Sequence, residues 1–140
     1  MNGNIGILGR LINMELRFLL DSNVIIDTLN GKLDLLAFFD DFPDCEVYIN
    51  PVVGIEVLAK PGMTEEEEIE IRTLLNSFKW ADIDRPTCEI AIQIRRTKEL
   101  RLPDALIAAS AIILNAIVLS NDPHLRDYQR HGYTARATTR

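Results

Sequence analysis

Cysteine is scarce in this chain: Cys45 and Cys88 are the only two in 140 residues, and they form no CxxC pair. Two isolated thiols suit a reducing cytoplasm and give no basis for a disulfide scaffold. Long apolar runs are missing as well. The longest, Ala105 to Leu114 with Ser110 inside it, is about half the length of a bilayer-spanning helix, so no membrane segment is expected. Only Arg10 precedes a weak, interrupted apolar patch near the N-terminus, which does not make a signal peptide. His124 and His131 are the only histidines and lack the spacing of zinc ligands. No P-loop, GxGxxG or Ser/His/Asp constellation is present, which sets aside phosphate-cradling loops and serine-nucleophile chemistry.

An overall basic excess is also lacking. The formal net charge of −6 at first opposes a polyanionic partner. Its distribution is uneven: residues 1–84 carry 6 basic and 16 acidic side chains, whereas residues 85–140 carry 9 basic and 5 acidic ones. The acidic half reads equally well as an ordinary solvated surface. In the basic part, Arg95, Arg96, Lys98, Arg101, Arg126 and Arg130 could form a local positive rim able to contact nucleic acid.

What is present is a single domain's worth of sequence, 47% hydrophobic and 26% charged, as in ordinary globular proteins. Residues 1–13 are polar and irregular and are expected to form a disordered extension, with Met14 as an alternative start; 14–140 is then one domain. Arg17 to Leu20 predicts a short buried strand ending at the turn-forming trio Asp21-Ser22-Asn23. Helices are expected over Val24 to Leu29 and Leu33 to Phe39, and a second strand over Glu46 to Ile49. Asn50-Pro51 opens a helix, with Asn as cap and Pro in the first helical position. Thr64 opens another, with Glu67 completing a capping box; the acids Glu65 to Glu68 read as its exposed start. A third strand is expected at Trp80 to Ile83, helices at Pro86 to Leu100 and Pro103 to Asn115, and a fourth strand at Ile117 to Leu119. Tyr133 to Ala137 adds a weak fifth strand. Short apolar strands alternating with helices predict a three-layer α/β/α sandwich around a parallel sheet.

Four acids stand at the edges of apolar segments: Asp21, Glu56, Asp104 and Asp122. Singly, each has an ordinary reading as a turn cap, a solvated helix residue or a helix-start carboxylate favoured by the dipole. Jointly, Asp21 and Asp122 fall at strand ends, where ligands bind in open α/β sheets, and Asp104 and Glu56 sit on helices that could face the same crevice. Carboxylates so gathered are suited to hard divalent cations such as Mg²⁺ or Mn²⁺. Asp127 follows Asp122 closely enough to compete for the last ligand role, and Asp27 reads as a surface residue.

Three segments carry a family resemblance. Leu19-Leu20-Asp21-Ser22-Asn23-Val24-Ile25-Ile26-Asp27 resembles the opening motif of PIN domains, Leu102-Pro103-Asp104-Ala105-Leu106-Ile107-Ala108-Ala109-Ser110-Ala111 resembles their "DALIAATA" motif, and Ile117-Val118-Leu119-Ser120-Asn121-Asp122 is similar to their final one. The likeness extends over about residues 16–125 and is greatest to VapC-type toxin ribonucleases. It implies a Mg²⁺- or Mn²⁺-dependent endoribonuclease that cleaves RNA by metal-activated water, with Asp21, Glu56, Asp104 and Asp122 as ligands and Asn23 and Ser120 as supporting polar groups. It also implies a cytoplasmic homodimer and a VapB-like antitoxin partner. The competing readings are a catalytically silent PIN-like binding module and a receiver- or phosphatase-like α/β domain. The phosphatase wants an acid two residues after Asp21, where Asn23 stands.

Overall fold

The computed structural model describes residues 16–128. The expected N-terminal extension, Met14, Arg130, His131 and the weak strand at Tyr133 to Ala137 lie outside the described residues. The chain runs β1 (Arg17–Leu20), α1 (Ser22–Leu29), α2 (Leu35–Phe39), β2 (Glu46–Ile49), α3 (Pro51–Leu58), α4 (Glu65–Asn76), β3 (Lys79–Trp80), α5 (Arg85–Thr97), α6 (Leu102–Leu114) and β4 (Ile117–Leu119), and closes on a 3₁₀ turn over Pro123–Tyr128.

Among the described residues the three strand pairings are all parallel, and the sheet order is β3-β2-β1-β4. Phe18, Leu19 and Leu20 are each fully buried. Successive strand side chains point to opposite faces, so both faces of the sheet are covered and the α/β/α layering follows. Phe18 anchors one side of the core, with Phe38, Phe39 and Phe42 at ring-centroid distances of 5.6, 5.4 and 5.3 Å. Arg17, Glu46 and Lys79 form a charged ladder across β1, β2 and β3, with Arg17 Nε 2.9 Å from Glu46 Oε1. The chain first steps outward from β1 to β2 to β3 and then returns to the other side of β1. The order therefore reverses between β1 and β4, and the carboxyl ends of these two strands open onto that crevice.

The helix starts follow their caps. Asn50 Oδ1 accepts from Val52 N at 2.8 Å, and Thr64 and Glu67 form a reciprocal capping box. Asn115, in the left-handed region at φ 52°, ends α6.

Several boundaries depart from expectation: α1 begins at Ser22 instead of Val24, α2 at Leu35 instead of Leu33, and α6 is shifted back by one residue. The third strand is Lys79–Trp80 rather than Trp80 to Ile83. It lies at the sheet edge, its ladder ends with Ala81 N donating to Ile49 O, and Asp84 is drawn off to cap α5 through Thr87 N at 3.2 Å. That helix runs Arg85–Thr97 instead of Pro86 to Leu100, because Lys98 turns extended. After Asp122 the chain forms a 3₁₀ turn packed through Leu125, which is fully buried.

The site-bearing α3 approaches β3 closely at Gly54, where a Cβ would lie 2.6 Å from Cη2 of Trp80. The Trp80 ring is held by its Nε1 donating to Leu75 O at 3.1 Å. Gly54→Ala gains about 1 kcal/mol of helix propensity, yet it must displace the indole or the helix. A net loss of about 1 kcal/mol is expected, read as a lower melting temperature with red-shifted Trp80 fluorescence.

Candidate active site

Asp21 follows β1 directly and caps α1, its Oδ1 accepting from Ser22 N at 2.8 Å. The backbone N–H of Asp21 donates to Leu119 O at 3.0 Å, which stitches the ends of β1 and β4 together. Its second oxygen, Oδ2, accepts from Ser120 Oγ at 2.6 Å and from Asn23 Nδ2 at 3.1 Å. Asp21 and Ser120 are both buried. Asn23 bridges further, donating to Ser120 Oγ at 3.2 Å and accepting from Asn121 N at 3.0 Å. Ser120 Oγ in turn accepts the Asp122 N–H at 2.9 Å. Two strand ends 99 positions apart along the chain are thereby joined by one hydroxyl.

Asp104 lies in the first turn of α6, 7% exposed, with Arg101 Nε 3.8 Å from its Oδ2. Burial and the neighbouring Asp122 raise its pKa above the ordinary aspartate value; Arg101 offsets part of this, and Asp21 adds to it. Glu56 projects exposed from α3. Partial burial, then Asp21 and Asp104, raise its pKa, against a hydrogen bond from Ser22 and the charge of Arg101. Asp122 behaves oppositely. Burial pushes it up, but the His124 backbone N–H, the His124 ring and Arg101 outweigh burial and hold it below the usual carboxylate range. Its Oδ1 accepts from His124 N at 2.9 Å, with His124 Nδ1 also at 2.9 Å.

Asp21 and Asp104 thus bear on Glu56, and Asp122 and Asp21 on Asp104, across the crevice between β1 and β4. Among the described residues, no three acidic, histidine or cysteine side chains already stand in a chelating arrangement. The donor set fits a hard divalent cation nonetheless: every donor is a carboxylate oxygen, and Glu56 and Asp104 are both burdened by the charge of their neighbours.

The remaining candidates are placed differently. Asp127 is exposed on the 3₁₀ turn and receives Lys98 Nζ at 2.8 Å. Arg95 donates to Leu100 O at 3.0 Å and, with Arg96, lines a groove of about 490 Å³ between α5 and α6. Arg101 is the cation beside Asp104. Arg126 belongs to the 3₁₀ turn.

Several contributors were not expected from the sequence. Asp27 is half-buried and accepts from Asn121 Nδ2 at 3.0 Å, tying the loop after β4 to α1. Ser22 bears on Glu56, and His124, weighed only as a zinc ligand, tunes Asp122. The signal for His124 was its place two residues after an Asp in a turn, where the Asp side chain accepts from the backbone. Ser120→Ala removes one donor from Asp21 and the acceptor of the Asp122 N–H; it is expected to cost about 1.5 kcal/mol by urea denaturation.

A family model described as PIN domain matches residues 18–131. No curated protein sequence matches the chain. Among solved structures, a toxin-antitoxin complex from Klebsiella pneumoniae aligns with TM-score 0.66 and 23% identity, covering 82% of this chain and 92% of that one. VapBC-1 from nontypeable Haemophilus influenzae gives TM-score 0.70 and 19% identity over 85% and 99% of the two chains. VapBC2 from Rickettsia felis, bound to a DNA fragment from its promoter, gives 0.68 and 18% over 81% and 93%. At these identities the likeness is one of fold.

Proposed function

We propose that this chain, which belongs to the PIN domain family, is a Mg²⁺- or Mn²⁺-dependent endoribonuclease and the toxin of a VapBC-like pair. PIN domains are generally divalent-metal-dependent nucleases. The observation that carries the reading is that Asp21 and Asp104 crowd their charge onto Glu56, and Asp122 and Asp21 onto Asp104, at the reversal of strand order, where open α/β sheets place their ligands.

Asp21, Glu56, Asp104 and Asp122 would hold the cation. When bound, a divalent cation supplies Lewis acidity, lowering the pKa of water and offsetting charge on a departing oxygen. The protein's own part is orientation. Ser120 and Asn23 hold the Asp21 carboxylate in one orientation through Oδ2, and Ser120 aligns the start of the segment after β4 through the Asp122 N–H. His124 holds the Asp122 carboxyl below its usual range, whereas Glu56 and Asp104 are raised, so Asp122 ionises before either of them. Arg101 partly neutralises Asp104 before a cation arrives, and with Arg95, Arg96, Lys98 and Arg126 it would meet the RNA backbone, which answers the overall negative charge. A VapB-like antitoxin and a second copy of the chain are the proposed protein partners; the fold neighbours being toxin–antitoxin assemblies supports the former.

The test is incubation of the purified chain with end-labelled single-stranded RNA and Mg²⁺ or Mn²⁺, with and without EDTA. Cation-dependent internal cleavage is expected; cleavage that survives chelation, or none with either ion, removes the proposal.

A further inference from the structure

Asn50 carries more than a helix cap needs. It is 0% exposed, and its Oδ1 already serves α3 by accepting from Val52 N at 2.8 Å. Serine, threonine or aspartate would cap as well. Only an amide presents an acceptor together with two donors, and here the Nδ2 donors cross to α6, reaching Ser110 Oγ at 2.7 Å and Leu106 O at 3.3 Å. Ser110 is 1% exposed, so the bond is shielded from water and keeps its strength.

The two helices it joins are those that carry Glu56 and Asp104. From the bond, Glu56 lies six residues along α3 (50 to 56) and Asp104 six residues along α6 (104 to 110), or about 9 Å along each axis. The buried residues of α6 are otherwise Ala105, Ile107, Ala108, Ala109 and Ala111 beside Asp104 itself. A surface of mostly small, smooth side chains resists sliding and rotation weakly, whereas a directional bond resists both. A rotation of about 10° at the pin would carry a carboxylate 9 Å away by about 1.5 Å, beyond the tolerance of a ligand set, roughly 0.5 Å.

We infer that the Asn50–Ser110 hydrogen bond is a strut that sets the placement of Glu56 against Asp104, which makes Asn50 and Ser110 positioning residues for the carboxylate site. This rests on the reading of that site as a cation site.

Two variants cut the strut from opposite ends. Ser110→Ala leaves the α3 cap intact, and Asn50→Ser keeps a capping oxygen too short to reach α6. Mn²⁺ affinity by calorimetry and the Mn²⁺ electron paramagnetic resonance line shape are measured for each, for the double variant and for Phe38→Leu, a destabilised control in the distant aromatic cluster. Each single variant is expected to lose Mn²⁺ affinity about tenfold with an altered line shape, the double no more than either single, and the control nothing. Wild-type affinity in both single variants despite lower melting temperatures overturns the strut and leaves the cation site standing, as do losses that multiply in the double. A wild-type chain that takes up no Mn²⁺ overturns both.

Discussion

Asp104→Asn is expected to lower RNA cleavage by about 10²–10³-fold while raising the melting temperature of the metal-free protein at pH 7. The two effects share one cause. Burial and the charge of Asp122 hold the Asp104 pKa above its ordinary value, so ionising this group costs more in the folded protein than in the unfolded chain. Between the ordinary and the raised value the folded state binds more protons, and stability falls as pH climbs through that window. At pH 7 the full penalty is present. Asparagine keeps the shape and removes the charge, so about 0.5–2 kcal/mol should return, a few degrees for a domain of this size. Below the ordinary carboxylate range both states are protonated and the gain should vanish. Thermal melts of both proteins between pH 3.5 and 7.5 in EDTA measure this; a variant less stable than wild type at pH 7, or one that cleaves normally with Mn²⁺, contradicts the role given to Asp104.

Saturating divalent cation should also stabilise the wild-type protein, by neutralising the same charge instead of deleting it. A ligand at a hundred times its dissociation constant stabilises by about 2.7 kcal/mol, or about 8–10 °C here. The gain should shrink as pH falls, since protons compete for Glu56 and Asp104 in their raised range. Asp122 is lowered, and its contribution should persist to more acid pH than that of its partners. Differential scanning calorimetry with Mg²⁺ or Mn²⁺ against NaCl of equal ionic strength separates site binding from screening. An equal rise in both salts, or an undiminished rise in Asp104→Asn, would count against a carboxylate-held cation.

Much of this was readable in the chain because the signals are local. A fully apolar three-residue run becomes a two-sided buried strand, as at Phe18 to Leu20, and Asn50-Pro51 or Thr64 with Glu67 satisfy the first free N–H groups of a helix from within a few residues. The ends of the strand at Lys79–Trp80 and of the helix at Thr97 were missed because pairing with β2 and the demands of capping decide them, and neither is written in the segment's own composition. Asp27 looked like surface since its partner, Asn121, lies 94 positions away.

The sequence by itself determined the alternation of strands and helices and placed four acids at their ends, because periodicity and capping act over a turn or two of backbone. Only the tertiary structure decided that β4 lies beside β1, that Ser120 rather than a nearer hydroxyl meets Asp21, and that Asp122 titrates low while Asp104 and Glu56 titrate high. Those outcomes depend on how distant segments close on one another and how much water they exclude. A carboxylate's charge is cheap or costly according to neighbours that its own stretch of chain does not contain.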